Sequence, residues 1–223
     1  MEYNPEIKRI DVVLLGDFNP KIFSPAWFAA NKLIGEHESG SAIPDIIHSD
    51  VTMFSMPWFQ LNVRRDRFSI FTEQEAYFTA LHDLVASTFQ LLEHTPVHSL
   101  GYNWAMHLPC DSEEEWHEFG YYILPPVAWE GIFETSGLIR AELVNKQPPI
   151  DPLDGALRIR VEPSQQIKNA VFVSVNHHFE VPEKTKVMGC TVILEEFLEN
   201  WDSSKELAEL SIQRLIANFN GRS

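Results

Sequence analysis

The chain is short of cysteine, of basic residues and of long apolar runs, and each shortage removes a class of function. Its two cysteines, Cys110 and Cys190, have no CxxC neighbour. A chain of 223 residues buries a sizeable core without staples, so reduced, mostly buried thiols are expected in place of a disulfide. Lys and Arg number 17 against 32 Asp and Glu, a formal net charge of −15. Nucleic-acid binders place basic side chains on phosphates and release counterions, and this chain has few to spend. Its densest basic segment, Arg64, Arg65 and Arg67, is interrupted by Asp66. Nucleic acid is therefore not an expected partner, and polybasic membrane attachment is disfavoured for the same reason. No apolar run approaches the roughly 18 residues of a membrane span. The opening residues, Met1 to Pro5, hold no positive segment followed by an apolar one. A cytoplasmic protein without a membrane partner is expected.

Motifs are missing as well. There is no GxxxxGK[ST] and no GxGxxG after a strand, which counts against nucleotide hydrolysis and dinucleotide redox chemistry. GxSxG and HExxH are absent too. No cofactor is expected.

What is present is material for a core: 44% hydrophobic and 12% aromatic residues, which exclude a disordered or collagen-like chain. The run from Ile10 to Leu15 predicts a central strand ended by Gly16-Asp17-Phe18-Asn19-Pro20. Ser24-Pro25 opens a helix carrying Trp27, Phe28, Leu33 and Ile34 to a stop at Gly35. Residues 36–50 read as a loop. Alternation from Val51 to Thr72 predicts a meander of two or three antiparallel strands. Thr72 and Glu75 have the capping-box spacing ahead of a helix with Leu81, Leu84, Val85, Thr88 and Leu92 on one face.

Val97 to Leu108 predicts a long strand with His98, Leu100, Tyr102, Trp104, Met106 and Leu108 toward the core and Val97, Ser99, Gly101 and Asn103 away from it. Ser112 caps a short helix reaching Gly120. Strands are then expected over 137–144, 156–162 and 170–181, with a proline-bearing exposed loop over 146–155. A last helix begins at Asp202-Ser203-Ser204, buries Leu207, Leu210, Leu215, Ile216 and Phe219, and ends at Asn220-Gly221. The sum is a single α+β domain over 1–223, with a mainly antiparallel sheet, two or three packed helices and a C-terminal helix. Two β-α-β-β-like halves would meet near 74–97.

Among nine histidines, His177 and His178 occupy adjacent strand positions and point to opposite faces. A ligand or metal site assembled from His178, Glu180, His107 and Asp111 would offer nitrogen and oxygen donors suited to zinc or manganese. The alternative for these residues is a set of strand-end polar groups with hydrogen-bonded imidazoles and no metal, which is the expectation adopted. Asn103 and His107 cannot both enter a core unpaired, since each unpaired buried polar group costs roughly 1–3 kcal/mol. They face a polar pocket or brace a turn, and the brace is the expectation adopted. Glu195 to Glu209 carries six acidic residues against Lys205. A solvated helix face explains it, and a docking surface for a basic partner through Glu199, Glu206 and Glu209 is the alternative. Trp58 and Trp129 are the aromatic candidates for a contact surface.

A resemblance rests on four pieces in order. These are the early strand ending in Phe18-Asn19-Pro20, the helix running into Thr95-Pro96, the strand with Gly101-Tyr102-Asn103, and a final strand leading to a long terminal helix. Together they resemble a sporadically distributed bacterial family of uncharacterised α+β proteins of about this size. That family has a Gly-x-x-Tyr-Ile-Asn-like strand and a helical C-terminus. Here Tyr102-Asn103 lacks the intervening residue. The resemblance implies a fold and a bacterial origin and transfers no catalytic residues. The leading expectation is a non-enzymatic protein-interaction subunit of a multi-component bacterial system, defence among the candidates, with a protein partner or a second copy of itself. Its rivals are a small-ligand binder or metal-dependent enzyme with a polar pocket around Asn103, His107 and His178, and an acidic mimic of nucleic acid.

Overall fold

Nine strands join in one sheet of order β2-β3-β4-β5-β1-β6-β9-β8-β7. The computed structural model describes residues 1–146, 153–181 and 189–222. The strands are β1 (Ile7–Gly16), β2 (Ile43–Ile47), β3 (Val51–Ser55), β4 (Gln60–Arg64), β5 (Arg67–Thr72), β6 (Val97–Pro109), β7 (Ala141–Lys146), β8 (Asp154–Pro163) and β9 (Ala170–Glu180). Every neighbouring pair is antiparallel. The helices are α1 (Pro25–Ala30), α2 (Glu36–Ser39), α3 (Phe78–Leu91), α4 (Glu113–Ile123) and α5 (Thr191–Asn220). The order is nearly symmetric about the β1–β6 pair, with five strands on the β1 side and four on the β6 side. Each half runs strand, short helix, antiparallel strands, long helix, with the changeover between α3 and β6.

Helices α3 and α5 cover one face of the sheet, and the alternation of the strands decides which residues they meet. Ile10, Val12 and Leu14 of β1 pair with Trp104, Tyr102 and Leu100 of β6, and all six are buried. Trp104 lies edge-on to Phe78 of α3 (5.6 Å) and Trp201 of α5 (5.1 Å), and its indole N–H donates to Ser204 Oγ at 3.1 Å. Tyr102 stacks on Phe197 at 5.7 Å and donates its hydroxyl to the carbonyls of Glu196 and Phe197. In the other half Phe18, Phe23, Phe68 and Phe89 pack within 6.4 Å of one another.

Several local expectations are corrected. The segment read as a loop contains α2 and the edge strand β2, whose five residues are all exposed and so show no alternation. Pro44 suits an edge position, and the ladder shifts register beside it. The first helix stops at Ala30, and Lys32 turns the chain with φ 60°. Thr72 closes β5, where its hydroxyl accepts from the Gln74 N–H, and α3 begins only at Phe78. The terminal helix starts at Thr191, eleven residues before Asp202. Leu210 is exposed on it, while Glu196, one of the acidic stretch, is buried and held neutral-leaning by that burial and by Glu199. The 146–155 loop lies mostly outside the described residues.

Candidate functional site

The opposite face of the sheet carries a cleft of about 600 Å³, a size typical of small-molecule sites. Its lining comes from β5, β1, β6, β9, β8 and β7 in turn, so the sheet curls around it. The residues that line it are the alternate members of strands whose other residues form the core.

Register places them in rows. One row runs Arg158, Asn176, Asn103, Asp11, Phe71 from β8 to β5, and the next runs Glu142, Arg160, Ser174, Ala105, Arg9 from β7 to β1. Along the first row the side chains form a ladder. Arg158 donates to Asn176 Oδ1 (3.1 Å), Asn176 Nδ2 to Asn103 Oδ1 (3.0 Å), and Asn103 Nδ2 to the Asp11 carbonyl (3.0 Å). Asp11 Oδ1 accepts from Ser69 at 2.9 Å. Gly101 makes the ladder possible, because a Cβ there would stand 2.9 Å from Asn176 Nδ2.

The charge of the cleft is opposite to that of the chain. Five of the nine arginines line it (Arg9, Arg67, Arg140, Arg158, Arg160) against the carboxylates Asp11, Glu142 and Glu162. Arg9 lies 3.4 Å over the Phe71 ring and Arg160 5.1 Å over Phe172, so two guanidinium planes are braced by aromatics. Burial raises the Asp11 carboxyl above its ordinary range against the opposing pull of Arg9, Ser69 and Arg67. Burial lowers both His107 and His178, with Arg158 adding to the effect on His178 and Glu180 opposing it. Both imidazoles are therefore disfavoured as cations.

Asn103, His107 and His178 line the cleft, and Asp111 and Glu180 do not. His178 stands across from Gly101, six residues along β6 from His107, which is about 20 Å of strand. The two imidazoles cannot share an ion. His107 bonds Ser164 Oγ at 2.7 Å, His178 Nε2 lies 3.7 Å from Glu180, and the exposed Asp111 donates its backbone N–H to Glu115. Among the described residues no three His, Cys, Asp or Glu side chains gather in a metal-holding group. His177 faces the helices beside Phe179 and Tyr102, and burial takes it down to about 4.

Glu199 and Glu206 are exposed on α5 and Glu209 is half-buried. Trp58 is pinned: its ring stacks on Tyr77 at 5.3 Å and its N–H donates to Glu38. Trp129 sits half-buried in a single helical turn, 6.2 Å from Phe133, in the opposite half of the chain. Sequence reasoning missed Asp11, Asn176 and the meeting of the arginines. The available signal was a charged residue at every second position of otherwise apolar strands, Arg9 and Asp11 on β1 and Arg158 and Arg160 on β8. Neither the family models nor the curated proteins contain a match to this chain.

Proposed function

We propose that this protein binds a small anionic ligand in the arginine-lined cleft and works by recognition, without covalent chemistry of its own. The observation that carries this reading is the segregation of charge: a chain fifteen charges negative gathers five arginines on one uncovered sheet face. The net negative charge of the chain discourages anions in general, while in the cleft five arginines against three carboxylates let steering and contact act together. The planar guanidinium, held by aromatic rings and by the Asn ladder, is preorganised for carboxylate or phosphate. Unpaired Cys110 and Cys190 support the cytoplasmic assignment, since thiols persist in a reducing compartment.

Thermal denaturation with pyrophosphate or citrate, against sodium chloride of equal ionic strength, tests the proposal. A ligand at about 100 times its Kd stabilises by about 2.7 kcal/mol. The stabilisation should vanish in the double variant Arg158→Ala/Arg160→Ala. Equal stabilisation by chloride, or by both proteins, would remove the reading.

A protein-partner role has separate support in the edge strand β2, where Ile43, Ile46 and Ile47 are exposed at the outer end of the sheet. Such an edge accepts an added strand unless guarded. Light scattering of the purified protein before and after Ile46→Lys would register the change in self-association that this reading requires.

A further inference from the structure

Resting on the anion reading above, we infer that the ligand is elongated, with an anionic group at each end and a neutral hydrogen-bonding middle. The cleft has a floor and two walls of different chemistry. The floor belongs to the central strands β6 and β9; its middle presents Gly101, Asn103, Ser174 and Asn176, all small and uncharged, with His107 and Phe172 toward one end and His178 toward the other. Its amides are already joined to each other, so the floor is rigid and carries no charge.

The walls are cationic. On one side stands Arg67 of β5, and on the other Arg158 of β8. These two differ from the remaining arginines of the cleft. Arg9 has Asp11 at 3.7 Å, Arg160 has Glu162 at 3.8 Å, and Arg140 is paired with Glu142. Among the described residues no carboxylate comes within ion-pair distance of Arg67 or Arg158, whose positive charge is left for something else. Four interstrand steps separate β5 from β8, about 19 Å between backbones if the sheet were flat and less where it curls, and Arg67 stands four residues along β5 from Phe71 in the row of Arg158, about 13 Å more along the strand direction. Backbones set that far apart and on a diagonal favour contact of a single phosphate with one wall at a time. A molecule that fills the 600 Å³ between them can touch both.

Titration calorimetry of the intact protein with tri(ethylene glycol) bisphosphate and with the corresponding monophosphate separates the possibilities. The bisphosphate should bind at least about tenfold more tightly, one wall contact being equivalent to about 1.4 kcal/mol. Arg67→Ala and Arg158→Ala should each bring it down to the level of the monophosphate. Both side chains are at least partly exposed, so unchanged denaturation midpoints provide the folding control. Equal binding of the two probes, or loss with only one of the two variants, would overturn the two-ended ligand and leave an anion cleft with one working wall. Binding of neither probe, or binding indifferent to both variants, would overturn the anion cleft as well.

Discussion

The two faces of the sheet are built from the same strands, yet they obey different rules. On β6, Leu100, Tyr102, Trp104, Met106 and Leu108 are closed off by helices, while Ser99, Gly101, Asn103, Ala105 and His107 line the cleft. The covered face is selected for volume and shape, where each methylene counts. The open face is selected for hydrogen-bonding direction and charge, and retains groups that the fold would be better without. Period-two alternation lets one strand do both, because neighbouring side chains never share an environment. Substitutions on the two faces should therefore separate stability from recognition.

The largest effect is expected on the covered face. Trp104→Ala removes a buried ring lodged between α3 and α5 and leaves Ser204 without its donor. Destabilisation of about 3–5 kcal/mol is expected from chemical denaturation. A loss below about 1 kcal/mol would mean that the helices do not close over this strand.

A pH titration sharpens the comparison next. His177 points to the covered face and its folded value is lowered to about 4 by burial, while the unfolded chain protonates near 6.5. Its contribution is fully present above 6.5 and is lost as pH falls toward 4. The drop should be on the order of 1–2 kcal/mol, discounted for a ring that keeps some contact with solvent. His177→Phe should flatten this part of the stability profile, and a variant with the same slope as the parent would assign the dependence to other groups.

The covered face was largely legible beforehand and the open face only in part. Alternation on β6 shows which residues point which way from Ser99 to Leu108, since side-chain direction is a local property, and it fails at buried Val97 and exposed His98, where the pairing with β1 shifts register between Leu15 and Gly16. Asn103, His107 and His178 are singled out by their chemistry, as polar groups in need of a partner or imidazoles able to ligate, and not by strand alternation. Asp11 was hidden in the apolar run of β1, and its role depends on β5 and β6 flanking that strand, a long-range pairing that no local pattern records. Metal chemistry drew attention to His178, Glu180, His107 and Asp111, but register separates the two imidazoles by three rows on the same face. Ser203 and Ser204 read as a helix start because Ser favours caps. Ser204 is instead a buried interior position, made acceptable by the indole of Trp104. Strand β2 had no signature, being exposed along its whole length.

Asp11 offers a smaller effect of opposite sign. Its folded carboxyl is raised by burial, so its stabilising contribution is present below the unfolded value near 3.8 and is lost as pH rises through the folded one. At pH 7 the carboxylate is a cost, partly offset by Ser69 and Arg9. Asp11→Asn should raise the denaturation midpoint at pH 7 and leave it little changed at pH 3. A lower midpoint at pH 7 would show that the ion pair with Arg9 outweighs the burial of the charge.

The smallest effect on stability is expected at Gly101, and there the two faces should part most clearly. An added Cβ meets the end of the Asn176 side chain at 2.9 Å, and that amide can swing away without moving backbone. Swinging costs the bond to Asn103, about 0.5–1.5 kcal/mol at most, and the charge-assisted bond from Arg158, about 1.5–3 kcal/mol at most, both largely replaced by water in an open cleft. Replacing Gly by Ala in a strand also removes freedom from the unfolded chain, a gain of about 0.4–1 kcal/mol. The two nearly cancel, so Gly101→Ala should denature within about 1 kcal/mol of the parent. Binding of the bisphosphate should nevertheless fall, because the ladder that orients Arg158 is broken and the floor is raised by a methyl group. Unaltered stability with unaltered binding would mean that the ladder supports the sheet and does not orient the arginine. Lost stability with unaltered binding would place Gly101 in the packing of the strand itself, and the recognition of the ligand would then rest on the walls alone.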